Sequence, residues 1–121
     1  MSHLSSVTPD LLIRMSRVNV LIIDVDGVLT DGRIIYAEHG DELKHFDVQD
    51  GAGLAFWRRA GLKSAIITAR RSRLMQRRAK ELRVDVLAQG CLEKLPMYER
   101  VVKRFRVRDE QVCAIGDDLM E

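Results

Sequence analysis

A chain of 121 residues has room for one modest domain with one hydrophobic core. Its composition, 46% hydrophobic and 31% charged, is that of a globular rather than a disordered chain, and no apolar run nears the roughly 20 residues that a membrane-spanning helix needs. A net charge of +2 is too small to mark a nucleic-acid binder, and the six aromatic residues do not interleave with the basic ones as a base-stacking platform requires.

The N-terminus lacks the charged start and long apolar centre of a secretion signal. Thr8-Pro9-Asp10 reads as a helix start, with an N-cap, a proline in the first turn and an acid near the positive end of the dipole; the helix should reach Arg17. Val20 to Asp24 reads as a strand buried on both faces. Residues 32–48 read as a hairpin with His39-Gly40 at its tip, where His39 and His45 need no chemical role. Residues 51–61 form a helix stopped by Gly61, and 63–68 a second buried strand. Residues 71–83 carry Leu74, Met75, Ala79 and Leu82 on one face, which predicts an amphipathic helix with Met75 in the core. Then come a strand over 84–88, a Gln89-Gly90 turn, a helix over 93–105 with Pro96 in its first turn, and a strand over 111–115. The two cysteines, Cys91 and Cys113, have no ligand-like or disulfide-framework spacing, so a reducing cytoplasm is expected.

Strand and helix alternate from Val20 onward, which predicts an α/β fold: a three-layer, Rossmann-like parallel sheet with right-handed crossovers. Ligands bind such sheets at the carboxyl ends of the strands. The unusual polar residues all fall there: Asp24 and Asp26 after the first strand, Thr68 at the end of the second, Lys94 opening the helix after the third, and Asp117 and Asp118 after the fourth. Two acid clusters at one edge repel unless a cation lies between them. With no His or Cys nearby, carboxylate oxygens suit Mg²⁺. Lys94 and Thr68 supply a positive charge and a hydroxyl for phosphoryl oxygens. In an extended segment Asp24 and Asp26 point to the same side. One carboxylate can then attack a phosphorus while the other serves the leaving oxygen, which is the layout of a phosphoryl-transfer site. Gly27 permits the sharp turn that follows.

Between Arg58 and Arg83 stand ten Lys or Arg and one acid, Glu81. This reads as a solvated helix face; the functional alternative is a positive rim that steers an anionic ligand. Asp31 reads as a turn residue beside Gly32.

The stretches "DVDGVLTDG", "IITAR" and "IGDD", with Lys94, resemble the four motifs of the haloacid dehalogenase phosphatase superfamily. "DVDGVLTDGRIIY", "GDELKHFDVQDG", "AIITAR", the "QG" before Lys94 and "AIGDDL" are similar to its small cap-less branch, typified by the 3-deoxy-D-manno-octulosonate 8-phosphate phosphatases. The resemblance covers nearly the whole chain after residue 10. It implies a hairpin flap in place of a cap domain, Asp24 as nucleophile and Mg²⁺ ligand, and Asp26 as acid/base, binding the metal through its backbone carbonyl. It also implies Asp117 as a further metal ligand, Asp118 supporting the metal's waters, and Thr68 and Lys94 on the phosphoryl group. Asp47, Val48, Gln49, Asp50 and Gly51, with Arg70 and Arg78, would surround the sugar acid. The implied assembly is a homotetramer in which one subunit's hairpin packs at its neighbour's site, and the implied role is lipopolysaccharide precursor synthesis.

The sequence departs from that pattern in places. Ala69 stands where relatives have Gly, and Gln49 and Ala55 stand where they often carry a basic residue, which leaves another sugar or nonulosonate phosphate as the alternative substrate. Relatives continue past the point where this chain reaches Met120-Glu121, so a single domain over 1–121, incomplete at its C-terminus, is expected. Two rival functions follow from the residues. A phospho-accepting receiver domain would need an Asp at the end of the third strand, where Ala88 and Gln89 stand instead. A catalytically dead assembly protein would not need Asp24 and Asp26.

Overall fold

A computed structural model describes residues 7–116. Helix α1 (Pro9–Ser16) precedes β1 (Val20–Ile23), a small hairpin of β2 (Ile35–Tyr36) and β3 (Glu42–Leu43), and α2 (Val48–Arg59). Then follow β4 (Lys63–Ile67), α3 (Arg73–Leu82), β5 (Val86–Ala88), α4 (Lys94–Phe105), a 3₁₀ turn (Asp109–Gln111) and β6 (Val112–Ile115). The four long-range strands are parallel, in the order β5-β4-β1-β6, so β1 and β4 lie inside and are apolar on both faces. This is the expected α/β fold.

Alternation along the strands divides the core into two layers. Ile23 and Ile66 point to one face, where Leu54 of α2 and Met75, Ala79 and Leu82 of α3 cover them. Val20, Ile22, Ala65 and Ile67 point to the other, against Val101 of α4. The amphipathic reading of α3 therefore holds, with Met75 only 1% exposed. No helix among the described residues is long and apolar enough to cross a membrane.

Several boundaries differ from expectation, three of them with a visible consequence. α2 begins at Val48, earlier than residue 51, because Asp47 caps it by accepting a hydrogen bond from Gln49 N at 2.7 Å. The hairpin ladder has two residue pairs, Ile35 with Leu43 and Tyr36 with Glu42, where a longer run was expected. Its tip is the expected one, closed by Gly40 N donating to Ala37 O, with Gly40 at a φ of +89°. β5 starts at Val86 because Asp85 turns aside: its carboxylate accepts from Ser64 N while its own amide donates to Ser64 O, both at 3.0 Å.

Candidate active site

The segment after β1 is a tight loop built by its own side chains. The carbonyl of Val25 accepts from the amides of Val28, Leu29 and Thr30, and Val25 itself is 2% exposed, which anchors the loop in the core. Thr30 Oγ1 accepts from Gly27 N at 3.3 Å and Gly32 N at 3.2 Å, tying the two glycines together. Gly27 has a φ of +83°, the left-handed region that spares glycine the Cβ penalty. Asp24 and Asp26 flank the buried valine, at the carboxyl end of β1. Asp24 N donates to Ile115 O at 3.0 Å, which locks this end of β1 to β6.

Each aspartate meets a lysine from a different element. Lys94 Nζ, in the first turn of α4, lies 3.3 Å from Asp24 Oδ1, with the two side chains 20% and 10% exposed. Both line a cavity of about 560 Å³ with Ile22, Ile67 and Val112. Lys44 Nζ, just after β3, donates to Asp26 Oδ1 at 3.0 Å and lies equally close to Glu42 Oε1. Burial pushes the Lys44 ammonium toward its neutral form, but the hydrogen bonds to and charges of Asp26 and Glu42 prevail, and its pKa stands above the ordinary 10.5.

Thr68 follows β4 directly, with its side chain buried. Its amide donates to Ala88 O at 2.9 Å and its carbonyl accepts from Cys91 N at 3.0 Å, so the turns after β4 and β5 fix each other. Thr68 Oγ1 accepts from Arg70 N at 3.4 Å. Gln89 Oε1 accepts from Ser72 N at 2.8 Å, which explains the Gln-Gly turn: it holds the start of α3 beside Thr68.

Asp24, Asp26, Thr68 and Lys94 thus lie at one end of the sheet. The Asp47–Gly51 segment is the cap and first turn of α2, and Asp47 and Asp50 line a second cavity of about 420 Å³ with Leu29, Thr30 and Asp31 of the loop after β1 and with His45 and Phe46. Val48 points outward at 84% exposure, and Gln49 is exposed as well. Arg78 stays with this segment, donating to Asp47 O at 3.2 Å and stacked over Phe46 at 5.6 Å, and a Cβ at Gly51 would lie 3.2 Å from its guanidinium. Arg70 instead pairs with Glu42 through two contacts of 3.1 and 3.2 Å. Of the ten basic residues from Arg58 to Arg83, only Arg70 and Arg78 are not exposed, so the remainder do form a solvated surface. Asp117 and Asp118 lie outside the described residues. Among the described residues no group of three or more His, Cys, Asp or Glu forms a metal cage. Glu42 and Lys44 were missed in the sequence because charged residues in a hairpin read as solvated. Their i, i+2 spacing in a strand was the available clue.

No family model matches the chain. Individual relatives do. The 3-deoxy-D-manno-octulosonate 8-phosphate phosphatase of Yersinia pestis is 40% identical over 115 residues, 95% of this chain and 62% of the relative. Its crystal structure superposes with a TM-score of 0.92. The corresponding phosphatase of Moraxella catarrhalis, crystallised with a magnesium ion, a phosphate ion and a KDO molecule, is 38% identical with a TM-score of 0.90, covering 94% of this chain and 66% of that one. A haloacid dehalogenase superfamily (subfamily III A) hydrolase from Legionella pneumophila is 35% identical with a TM-score of 0.84, covering 93% of this chain and 66% of that one. Over 93–95% of its length the chain is thus similar to members of the haloacid dehalogenase superfamily. It is a homologue of the 3-deoxy-D-manno-octulosonate 8-phosphate phosphatases, and it spans less than two thirds of the length of the Yersinia pestis protein.

Proposed function

We propose that the protein hydrolyses a phosphate monoester of a sugar acid, 3-deoxy-D-manno-octulosonate 8-phosphate, through an aspartyl-phosphate intermediate. The observation that carries this reading is the pair of aspartates one residue apart, each held by its own lysine, at the carboxyl end of the inner strand β1. Homology to enzymes of that name over 95% of the chain supports the substrate.

A carboxylate oxygen of Asp24 attacks phosphorus, and the bond from phosphorus to the sugar oxygen breaks. Asp26 gives its proton to that oxygen. The same carboxylate then takes a proton from water, which attacks the phosphorus and frees Asp24 and inorganic phosphate. Splitting the hydrolysis this way replaces one hard step by two easier ones, and the proton transfers contribute about 10²–10⁴-fold. Lys94 holds a phosphoryl oxygen and balances Asp24 in the absence of substrate. Thr68 offers its hydroxyl from a backbone fixed on both sides.

The donors here fit Mg²⁺. The Asp24 carboxylate and the Asp26 carbonyl are hard oxygens with no sulfur or imidazole beside them, and Asp117 would add a third, with Asp118 behind it. When bound, Mg²⁺ supplies positive charge that offsets the phosphoryl oxygens. Gln49, uncharged and exposed in the first turn of α2, favours a second reading in which the substrate is another sugar or nonulosonate phosphate. Ile34, Tyr36 and Leu43 leave the hairpin apolar and 46–65% exposed, which supports a homotetramer joined through it.

The test is phosphate release from a panel of sugar-acid and simple sugar phosphates, with Mg²⁺ and with EDTA. Metal-dependent turnover that disappears in Asp24→Asn is expected, fastest with the octulosonate. No turnover across the panel from a folded protein would sink the proposal.

A further inference from the structure

Two ladder pairs cannot hold a hairpin in place, since even longer isolated hairpins are marginal in water. Something else fixes β2 and β3 over the carboxyl end of the sheet. Glu42, in β3, and Lys44, just past its end, are two residues apart, the spacing that turns both side chains to one side of an extended segment. Lys44 reaches Asp26 in the loop after β1, and Glu42 reaches Arg70 in the loop after β4. Glu42 also contacts Lys44, at 3.0 Å. The result is a neutral chain of four charges, Asp26–Lys44–Glu42–Arg70, that spans the site.

Exposure separates this chain from ordinary surface pairs. The Lys44 side chain is 3% exposed, Glu42 20% and Asp26 29%, whereas Arg33–Asp31 and Arg77–Glu81 have sides exposed by 50–82%. Surface pairs are screened and weakly ordering. A lysine ammonium withdrawn this far from water requires its partners, so its geometry is set by them and sets theirs.

We propose that Lys44 is a positioning residue: it fixes the Asp26 carboxylate for its acid and base steps and, through Glu42, ties that carboxylate to Arg70. This rests on the phosphatase reading. Lys44 touches Asp26, so its loss acts on turnover. Glu42 holds Arg70, so its loss acts on substrate binding.

The experiment compares Lys44→Met, Lys44→Arg and Glu42→Gln in steady-state hydrolysis of 3-deoxy-D-manno-octulosonate 8-phosphate with Mg²⁺. Lys44→Met should lower kcat by about 10–100-fold with KM within about threefold, the size typical of losing an orienting partner. Lys44→Arg should restore most of kcat, and Glu42→Gln should raise KM while kcat stays within about threefold. If Lys44→Met fails to fold, Lys44→Gln must show the same kcat loss in milder form. Lys44→Met with unchanged kcat, or with the KM rise of Glu42→Gln alone, would overturn the assignment.

A second readout does not need turnover. Amide hydrogen exchange in residues 33–46 should quicken by about fivefold or more in Lys44→Met and in Asp26→Asn, with no further gain in the double variant. Additive effects, or no effect, would refute the contact's role. Should the unaltered protein release no phosphate, the phosphatase reading fails, and this exchange cycle alone decides whether Lys44 holds Asp26.

Discussion

Lys94 Nζ stands 3.3 Å from Asp24 Oδ1, so the first turn of α4 delivers a cation directly to the residue that follows β1. The pair is mostly shielded from water, and electrostatic contacts gain strength there. Lys94→Met should lower kcat/KM for phosphate release by about 10²–10³-fold, the range found on removing one preorganised donor to transition-state charge. Asp24→Asn should leave no measurable turnover, because the amide is not a nucleophile. Both are read by steady-state phosphate release. Lys94→Arg should not restore activity, since a planar fork cannot take the place of a point charge on one oxygen. Full activity in Lys94→Met would remove this lysine from the site.

Gly90 sits at a turn whose left-handed backbone favours glycine. Its φ is +69°, and a Cβ there would lie 2.6 Å from Nε of Arg71. Gly90→Ala should destabilise the fold by about 1 kcal/mol from backbone strain, with little added by the clash because the exposed Arg71 guanidinium can swing aside. Urea denaturation measures the loss. Adding Arg71→Ala should recover only the small part due to the clash and leave the part due to φ. A neutral Gly90→Ala would mean that the turn relaxes freely, and the link from Gln89 to the start of α3 would lose its rigidity argument.

The parallel sheet was legible because its two inner strands are continuous apolar runs and the helices between them carry clear stripes. The clustering of Asp24, Asp26, Thr68 and Lys94 followed, since strand ends share one edge. Asp47 shows what was not legible. The apolar alternation around Phe46 and Val48 continued the hairpin on paper as far as Val48, and the helix was expected only from Gly51. Only the cap hydrogen bond to Gln49 decides that α2 starts there. Lys44 was hidden for a different reason. Its partners lie 18 residues away in the loop after β1 and two residues away in β3, and a charged hairpin residue reads as solvated until that packing is known.

Met75 tests the packing of the layer that carries the first of these loops. It is 1% exposed within the cluster that also holds Val25 and Leu29. Met75→Ala should cost about 2–5 kcal/mol, the transfer energy of the lost atoms plus a cavity. Met75→Leu should cost less than about 1.5 kcal/mol, as volume-conserving exchanges do. Thermal or urea denaturation distinguishes them. Equal effects would show that the side of the sheet covered by α3 is loosely packed.

Tyr98 provides a prediction in pH. It lies on α4 one turn beyond Lys94, and its hydroxyl donates to Asp109 Oδ1. Burial, then the hydrogen bond to Asp109, then the charges of Asp109 and Glu110 all disfavour the phenolate, and its pKa is pushed up to about 12 from 10.0. A group whose pKa rises on folding stabilises the fold fully below its unfolded value. The contribution is therefore intact below about pH 10 and falls away as pH climbs from about 10 to about 12. Tyr98→Phe should lose about 1 kcal/mol at neutral pH and narrow its deficit across that window. The comparison with the unaltered protein isolates Tyr98 from Lys44, whose own raised pKa acts at the alkaline end in both. Because the chain has two tyrosines, Tyr36→Phe leaves Tyr98 alone, and its ultraviolet phenolate titration should then show a midpoint of about 12. A midpoint at the ordinary tyrosine value would mean that the link to Asp109 does not persist in solution, and that α4 is not braced against the 3₁₀ turn at this point.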